Sequence, residues 1–264
     1  MNRLALEHSF RSRGDISALA SAAIHNVRLH AGALETYGRD DWTRLETARF
    51  AAWGPGEVAN GKTLSQQQGA AALAIATRWN LKTRAGAVPC AALSLVHAGR
   101  VVREWQYYDR LRLGYGAGQT PAEVFWPRRH GVPFEYGELR ASLGQIWPSE
   151  SAAAVAAAEI ATHPLVLAWH ALWNLRRGPM PPLLAPFAEP VMFAERLIAG
   201  ADGSAALQWR LVGRLVADAY GIRASRARLE LPGLSFFATS GDVAQREDYF
   251  DPAVLLEQTA QRAA

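Results

Sequence analysis

The sequence predicts an α+β fold laid out twice in tandem, and three observations predict it. The stretch from Gly99 to Asp109, a glycine turn and a strand ending in Tyr107-Tyr108-Asp109, has the same layout and spacing as Gly241 to Asp251, which ends in Tyr249-Phe250-Asp251. A matching tryptophan lies upstream of each, in Trp79-Asn80-Leu81 and Trp209-Arg210-Leu211. In both halves helical periodicity comes first and strand-like runs follow, the order of an α+β domain. Repetition at half the chain length reads as duplicated domains rather than a stacked solenoid. The expected organisation is a pared-down first domain over 1–114, a linker over 115–150 packed on the surface, and a second domain over 151–264.

The 264 residues accommodate two such domains. Half the residues are apolar and a fifth charged, which excludes a disordered chain. The net charge of +4 is scattered and forms no basic stripe, so no nucleic-acid partner is expected. Cys90 is the only cysteine and sits among apolar neighbours, which reads as a buried, inert thiol. The N-terminus lacks a secretory signal and the longest apolar runs, such as Ala70 to Thr77, are too short to span a bilayer. No membrane partner and a cytoplasmic location are therefore expected.

Along the chain, Asp15 predicts a capped helix running to about Thr36, with Ile16, Leu19, Ala20, Ala23, Ile24, Val27, Ala31 and Leu34 on one stripe. His25 falls off that stripe and His30 on its edge, and both read as solvated or rim histidines rather than ligands. Asp41 to Trp53 reads as a second helix, closed by Gly54-Pro55-Gly56. Three antiparallel strands joined by hairpins are expected between Gly69 and Asp109, although Gly69 to Ala76 fits a helix end equally well. The glycines, prolines and aromatics of Tyr115 to Glu150 mark the linker, with a capping box at Thr120 to Glu123. An alanine-rich helix over Ser151 to Ala161 precedes one capped by Thr162, whose stripe is Leu165, Val166, Trp169, Leu172 and Trp173 and whose stop is Arg176 to Pro179. His163 and His170 flank that stripe. Strands follow at about 206–215, 227–231, 235–239 and 243–250, then a short helix over Ala253 to Gln261. Asp109 and Asp251 read as caps for the segments after their strands.

Gly56 to Thr63 matches Gly-x-x-x-x-Gly-Lys-Thr letter for letter. A phosphate loop needs a buried strand before it and a helix after it, so that backbone amides converge on the phosphates. Here a helix precedes and Leu64-Ser65-Gln66-Gln67-Gln68 follows without amphipathic character, so the context argues against nucleotide binding. Neither metal-ligand spacing nor a Gly-x-Ser-x-Gly elbow is present, and no cofactor is expected.

Arg78 to Leu81, Ser94 to Trp105 and Tyr107 to Asp109 in the first half resemble the SnoaL-like branch of the nuclear transport factor 2-like superfamily, which includes ketosteroid isomerases and polyketide cyclases. Gln208 to Gly213, Gly233 to Phe237 and Asp248 to Asp251 resemble it in the second half. The resemblance covers about 40 residues of each half and implies two cones, each a curved antiparallel sheet wrapped around a pocket and closed by helices. It also implies an internal pseudo-dimer open to further homo-oligomerisation.

Alternation along the last strand places Arg246, Asp248 and Phe250 on one face, with Glu104, Gln106 and Tyr108 as their first-half counterparts. The resemblance to polyketide cyclases puts their general acid/base at Asp248, whereas the first half has Gln106 there. A carboxyl group in an apolar cavity can move a proton at an activated carbon, and glutamine cannot. The histidine that cyclases place on the preceding strand falls at Leu234 or Ser235, so that partner is missing. Asp248 is thus the candidate catalytic residue, the alternative being a solvated or Arg246-paired carboxylate near a strand end. Trp209, Arg246, Phe250, Trp79, Glu104, Gln106 and Tyr108 are candidates for lining ligand sites, although both tryptophans also fit an ordinary core. The expected ligand is a small apolar molecule, a carbonyl compound if the protein is an acid/base isomerase or cyclase. A non-catalytic tandem module that binds a ligand or a protein is the alternative.

Overall fold

A computed structural model describes residues 2–31, 34–68, 70–120, 160–174, 182–225, 227–238 and 245–263. The chain divides into two compact units, Met1–Ser149 and Glu150–Ala264. Each is α+β, with helices packed on a sheet of its own. Of the expected linker, 121–150 lies outside the described residues, as do most of the Ser151 to Ala161 helix and the Arg176 to Pro179 stop. No helix among the described residues is long and apolar enough to cross a membrane.

The first unit opens with α1 (Arg3–Arg13), which the apolar pattern did not disclose. Its Asn2 cap accepts a bond from the Ala5 amide, but its buried face is Arg3, Glu7, Phe10 and Arg11. The spacing is helical and the chemistry is charged. Asp15 caps the next helix as expected, its carboxylate accepting from the Ala18 amide, yet α2 (Ile16–Ser21) stops after six residues. Correcting the expected long helix, residues 23–31 form β1 (Ala23–Ala31), followed by β2 (Leu34–Tyr37). The segment Asn26 to Ala31 also alternates polar and apolar residues, and pairing with another strand settles the ambiguity in favour of extended chain.

Helix α3 (Arg39–Trp53) matches the expected second helix and buries Trp42, Leu45, Glu46, Arg49 and Trp53. After it, β3 (Gly56–Gln67) contains the whole phosphate-loop match. Those eight residues are an edge strand paired antiparallel to its neighbour, with a bulge between Ala59 and Lys62, so their amides do not converge at a helix N-terminus. Gly61 has a packing reason of its own: a Cβ there would lie 2.1 Å from a methyl of Leu4 on α1.

The next strands, β4 (Ala72–Thr83), β5 (Gly86–His97) and β6 (Arg100–Tyr108), form the expected hairpins, and Ala72 to Ala76 is strand rather than helix end. The sheet order is β2-β1-β6-β5-β4-β3, with β1 parallel to β6. Asp109 then caps α4 (Arg110–Gly116) through the Arg112 amide.

In the second unit α5 (Pro164–Trp173) is capped by His163, whose Nδ1 accepts from the Leu165 amide, rather than by the expected Thr162. Leu165, Val166, Trp169 and Trp173 are buried, matching the expected stripe. Asn174 fastens the end of α5 to a strand by two 2.8 Å bonds with the Met192 backbone. That strand, β7 (Phe187–Ala199), lay unseen behind the proline-rich lead-in. It sits at the sheet edge, where a proline and a bulge are tolerated.

The remaining strands are β8 (Ala205–Leu215), β9 (Arg228–Phe237) and β10 (Arg246–Phe250), in the order β10-β9-β8-β7. Residues 228–231 and 235–237 belong to the single strand β9, which runs straight through Gly233. A Cβ on Gly233 would lie 2.2 Å from the Trp209 indole. Gly233→Ala is therefore expected to cost about 1–3 kcal/mol, measured as a lower urea midpoint. Asp251 accepts from the Ala253 amide and opens α6 (Ala253–Ala263).

The two sheets share a cross-strand row. In the first unit Trp79 pairs with Cys90 and Cys90 with Tyr108. In the second, Trp209 pairs with Gly233 and Gly233 with Phe250. Two residues along, Ala92 faces Gln106 and Ser235 faces Asp248.

Candidate functional site

Strand β10 carries Arg246, Asp248 and Phe250 on the face that meets Trp173, Ser235 and Trp209. Ser235 donates to Asp248 Oδ1 at 2.5 Å, and Trp209 Nε1 donates to Ser235 Oγ at 2.7 Å. An indole N–H can only donate, so the single hydroxyl proton of Ser235 is left for Asp248. Arg246 Nε lies 3.1 Å from both carboxylate oxygens, and its guanidinium carbon stands 4.4 Å from the centre of the Trp173 ring. Phe250 packs against Trp209 at 6.5 Å and meets the edge of Tyr220 at 5.5 Å. Burial pushes the Tyr220 hydroxyl up to about 12, so it stays protonated at neutral pH.

Trp173, Trp209 and Ser235 are fully buried, whereas the Asp248 side chain is 20 % exposed. The carboxylate is therefore in contact with solvent. Ser235, which the sequence marked only as the place of a missing histidine, is its anchor. Trp173 was read as helix core, and nothing in the sequence tied it to Arg246.

The matching residues of the first unit have different surroundings. Glu104 on β6 accepts from Arg3 Nε at 2.8 Å, Arg3 Nη2 at 2.8 Å and Ser94 Oγ at 2.8 Å. Arg3 also bonds Glu7, and Arg11 joins Glu7 to Glu46 at 3.1 and 2.8 Å. Gln106 accepts from Arg49 at 2.9 Å and donates to Glu46 and Glu104. Three arginines and three glutamates thus balance inside the unit, all of them buried. Burial opposes ionisation throughout. The neighbouring carboxylates overcome it and raise the Arg3 and Arg11 pKa values, while Arg11 and Arg49 overcome it at Glu46 and hold that carboxyl at about 2.

Trp79 and Tyr108 lie beside this network with Trp53, which meets Tyr108 edge-on at 5.8 Å. The Tyr108 hydroxyl and the indole nitrogens of Trp53 and Trp79 are sealed from solvent and have no hydrogen-bond partner among the described residues. Burial pushes the Tyr108 hydroxyl and the Cys90 thiol up. The structure therefore gathers Trp79, Glu104, Gln106 and Tyr108 in one interior, buried alongside Arg3, Glu7, Arg11, Glu46, Arg49 and Ser94. Those six had no apolar periodicity to betray them.

Acid should loosen this unit. Glu46 titrates near 2 when folded and 4.5 when free, so its contribution is complete above 4.5 and is lost as the pH falls toward 2. His30 accepts a bond from Arg103 Nε at 2.8 Å and stacks on Trp105. Burial and then the Arg103 and Arg28 charges lower its pKa from 6.5 to about 3. Between those values the unfolded chain binds a proton that the folded one does not, so stability falls as the pH drops below 6.5. A melting-temperature profile should decline from pH 6.5 and more steeply below 4.5, and His30→Gln should flatten its upper part.

No known family's sequence profile matches the chain, and no curated protein matches it in sequence. Its fold is similar to those of several solved proteins. One is a protein from Burkholderia xenovorans described as NTF-2-like, with 18% identity over 40% of this chain and 78% of that one, at a TM-score of 0.31. A second, from Catenulispora acidiphila, has a ketosteroid isomerase-like fold and was solved with trimethylamine; it shares 14% identity over 48% of this chain and 99% of its own, at 0.32. A third is a candidate polyketide cyclase from Sinorhizobium meliloti, with 15% identity over 40% of this chain and 94% of that one, at 0.33. Identities this low say nothing of what this chain binds. Among the described residues no three His, Cys, Asp or Glu side chains come together to hold a metal.

Proposed function

We propose that the chain is a tandem of two nuclear transport factor 2-like units of SnoaL-like type, in which the second binds a small molecule and the first is a structural copy. The observation that carries this is the contrast along one row of the sheet. Asp248 is 20 % exposed on an aromatic-lined face, whereas its counterpart Gln106 is 3 % exposed and bound to three charged side chains. The shared row of Trp79, Cys90 and Tyr108 with Trp209, Gly233 and Phe250 supports descent of both units from one. On this reading Trp209 and Phe250 support an apolar body, Asp248 holds a polar group with Arg246 at its border, and Trp79, Glu104, Gln106 and Tyr108 hold the first unit together.

A thermal-shift screen of wild type and Asp248→Asn against steroids, polyketide-like aromatics and terpenoid epoxides tests the proposal. A ligand at a hundred times its dissociation constant stabilises by about 2.7 kcal/mol, a shift of several degrees. The shift should shrink in Asp248→Asn. Silence from every class, or a shift indifferent to the substitution, counts against the site.

A catalytic version has its own support, since Asp248 is reachable and carries a serine where the cyclase resemblance expects histidine. Asp248 would take a proton from the activated carbon of a carbonyl compound. Proton NMR in deuterium oxide reads this step directly, as exchange at the α-carbon of added ketones that disappears in Asp248→Asn. Ligand binding without exchange would leave the second unit as a binding module.

A further inference from the structure

We infer that the Arg246 guanidinium occupies, within its own chain, a site shaped for an organic cation, so that the ligand of the second unit carries a protonated amine, a guanidinium or a quaternary ammonium group. The inference rests on the second unit being a ligand site and names the class of ligand. Two features flank the guanidinium among the described residues: the Asp248 carboxylate, with both oxygens 3.1 Å from Nε, and the face of Trp173 at 4.4 Å. A carboxylate beside an aromatic face is the chemistry that holds alkylammonium and guanidinium ions. Ser235 and Trp209 fix the carboxylate from behind, because their bonds run in one direction, indole to hydroxyl to Asp248. The acceptor is therefore built into the sheet, whereas the cation is carried at the end of a long side chain, the two being 20 % and 11 % exposed.

Charge pairing separates the ligand classes. When a cation enters and Arg246 swings into water, the cation takes over the pair with Asp248, and that carboxylate is not stranded. An anion would find Arg246 already neutralised and Asp248 repelling it. A neutral apolar group would have to displace Arg246 and leave Asp248 unpaired, which is the costly way to break a half-buried pair. The resident guanidinium lowers apparent affinity by the fraction of time it is away, so it favours ligands whose remaining body adds contacts.

The test uses the full chain, with choline as probe and 3,3-dimethylbutanol as its uncharged isostere, titrated by NMR into wild type, Arg246→Ala, Asp248→Asn and the double variant. Choline should bind Arg246→Ala about tenfold tighter or more than wild type, because the competitor is gone. That gain should vanish in the double variant, and dimethylbutanol should show none of it. If Arg246→Ala does not fold, Arg246→Gln keeps the stem, removes the charge and should show the same gain. Choline binding no tighter than wild type in a folded variant overturns the inference. A gain for dimethylbutanol equal to that for choline overturns the cation class and leaves the ligand site standing. Absence of binding by both probes in every variant, together with silence in the ligand screen, removes the site itself.

Discussion

Glu46→Ala is expected to cost the first unit about 3–5 kcal/mol. The Glu46 carboxylate is fully buried and accepts from Arg11 at 2.8 Å, Arg49 at 2.9 Å and Gln106 at 3.2 Å. Alanine leaves two buried guanidinium groups short of counter-charge, and neither can reach water without opening the unit. Since Arg11 belongs to α1 and Glu46 to α3, the same change loosens both helices. The urea midpoint measures the loss. Replacing Glu46 and Arg11 together by leucine and methionine should restore part of it, because removing both charges costs less than stranding one. A midpoint unchanged in Glu46→Ala contradicts the network.

Trp209→Ala is expected to cost a similar amount, about 3–5 kcal/mol, in the second unit. The indole is fully buried, lies on the backbone of Gly233, touches Phe250 and bonds Ser235. The sharper expectation is a coupling. Gly233→Ala is harmful only because of the indole above it, so in the Trp209→Ala background it should cost almost nothing. A double-mutant cycle in urea reads that difference. Simple additivity of the two changes would show that Gly233 is required for its backbone and not for the tryptophan.

The parts of the fold that were legible in the sequence are those whose chemistry agrees with their geometry. Strands β4, β5 and β6 alternate or run apolar, and Leu165, Val166, Trp169 and Trp173 repeat at helical spacing. The parts that were hidden break that agreement. Helix α1 turns Arg3, Glu7 and Arg11 inward, so a search for apolar stripes passes over it although the spacing is helical. Residues 26–31 satisfy both the helical and the strand pattern, and only pairing with β2 and β6 decides between them. In strand β3 the second glycine of the phosphate-loop letters, Gly61, leaves space for Leu4, a contact between segments 57 residues apart.

The candidate site divides the same way. Alternation along β10 placed Arg246, Asp248 and Phe250 on one face without help from the structure. Ser235 and Trp173 come from other elements, and their meeting with Asp248 and Arg246 depends on strand register and helix packing that no local pattern encodes. In the first unit Glu104 and Gln106 stood out by position, but their partners Arg3, Glu46 and Arg49 could be found only by folding the chain.

The central claim is that solute enters the second unit and not the first, and the side-chain N–H resonances of the nine tryptophans test it most directly. A nitrogen-15 spectrum recorded with and without a ligand from the screen should show Trp173 and Trp209 moving, with Trp42, Trp53 and Trp79 unchanged. Movement of Trp53 or Trp79 with Trp173 and Trp209 still would place the ligand in the interior described as closed, and would contradict the account.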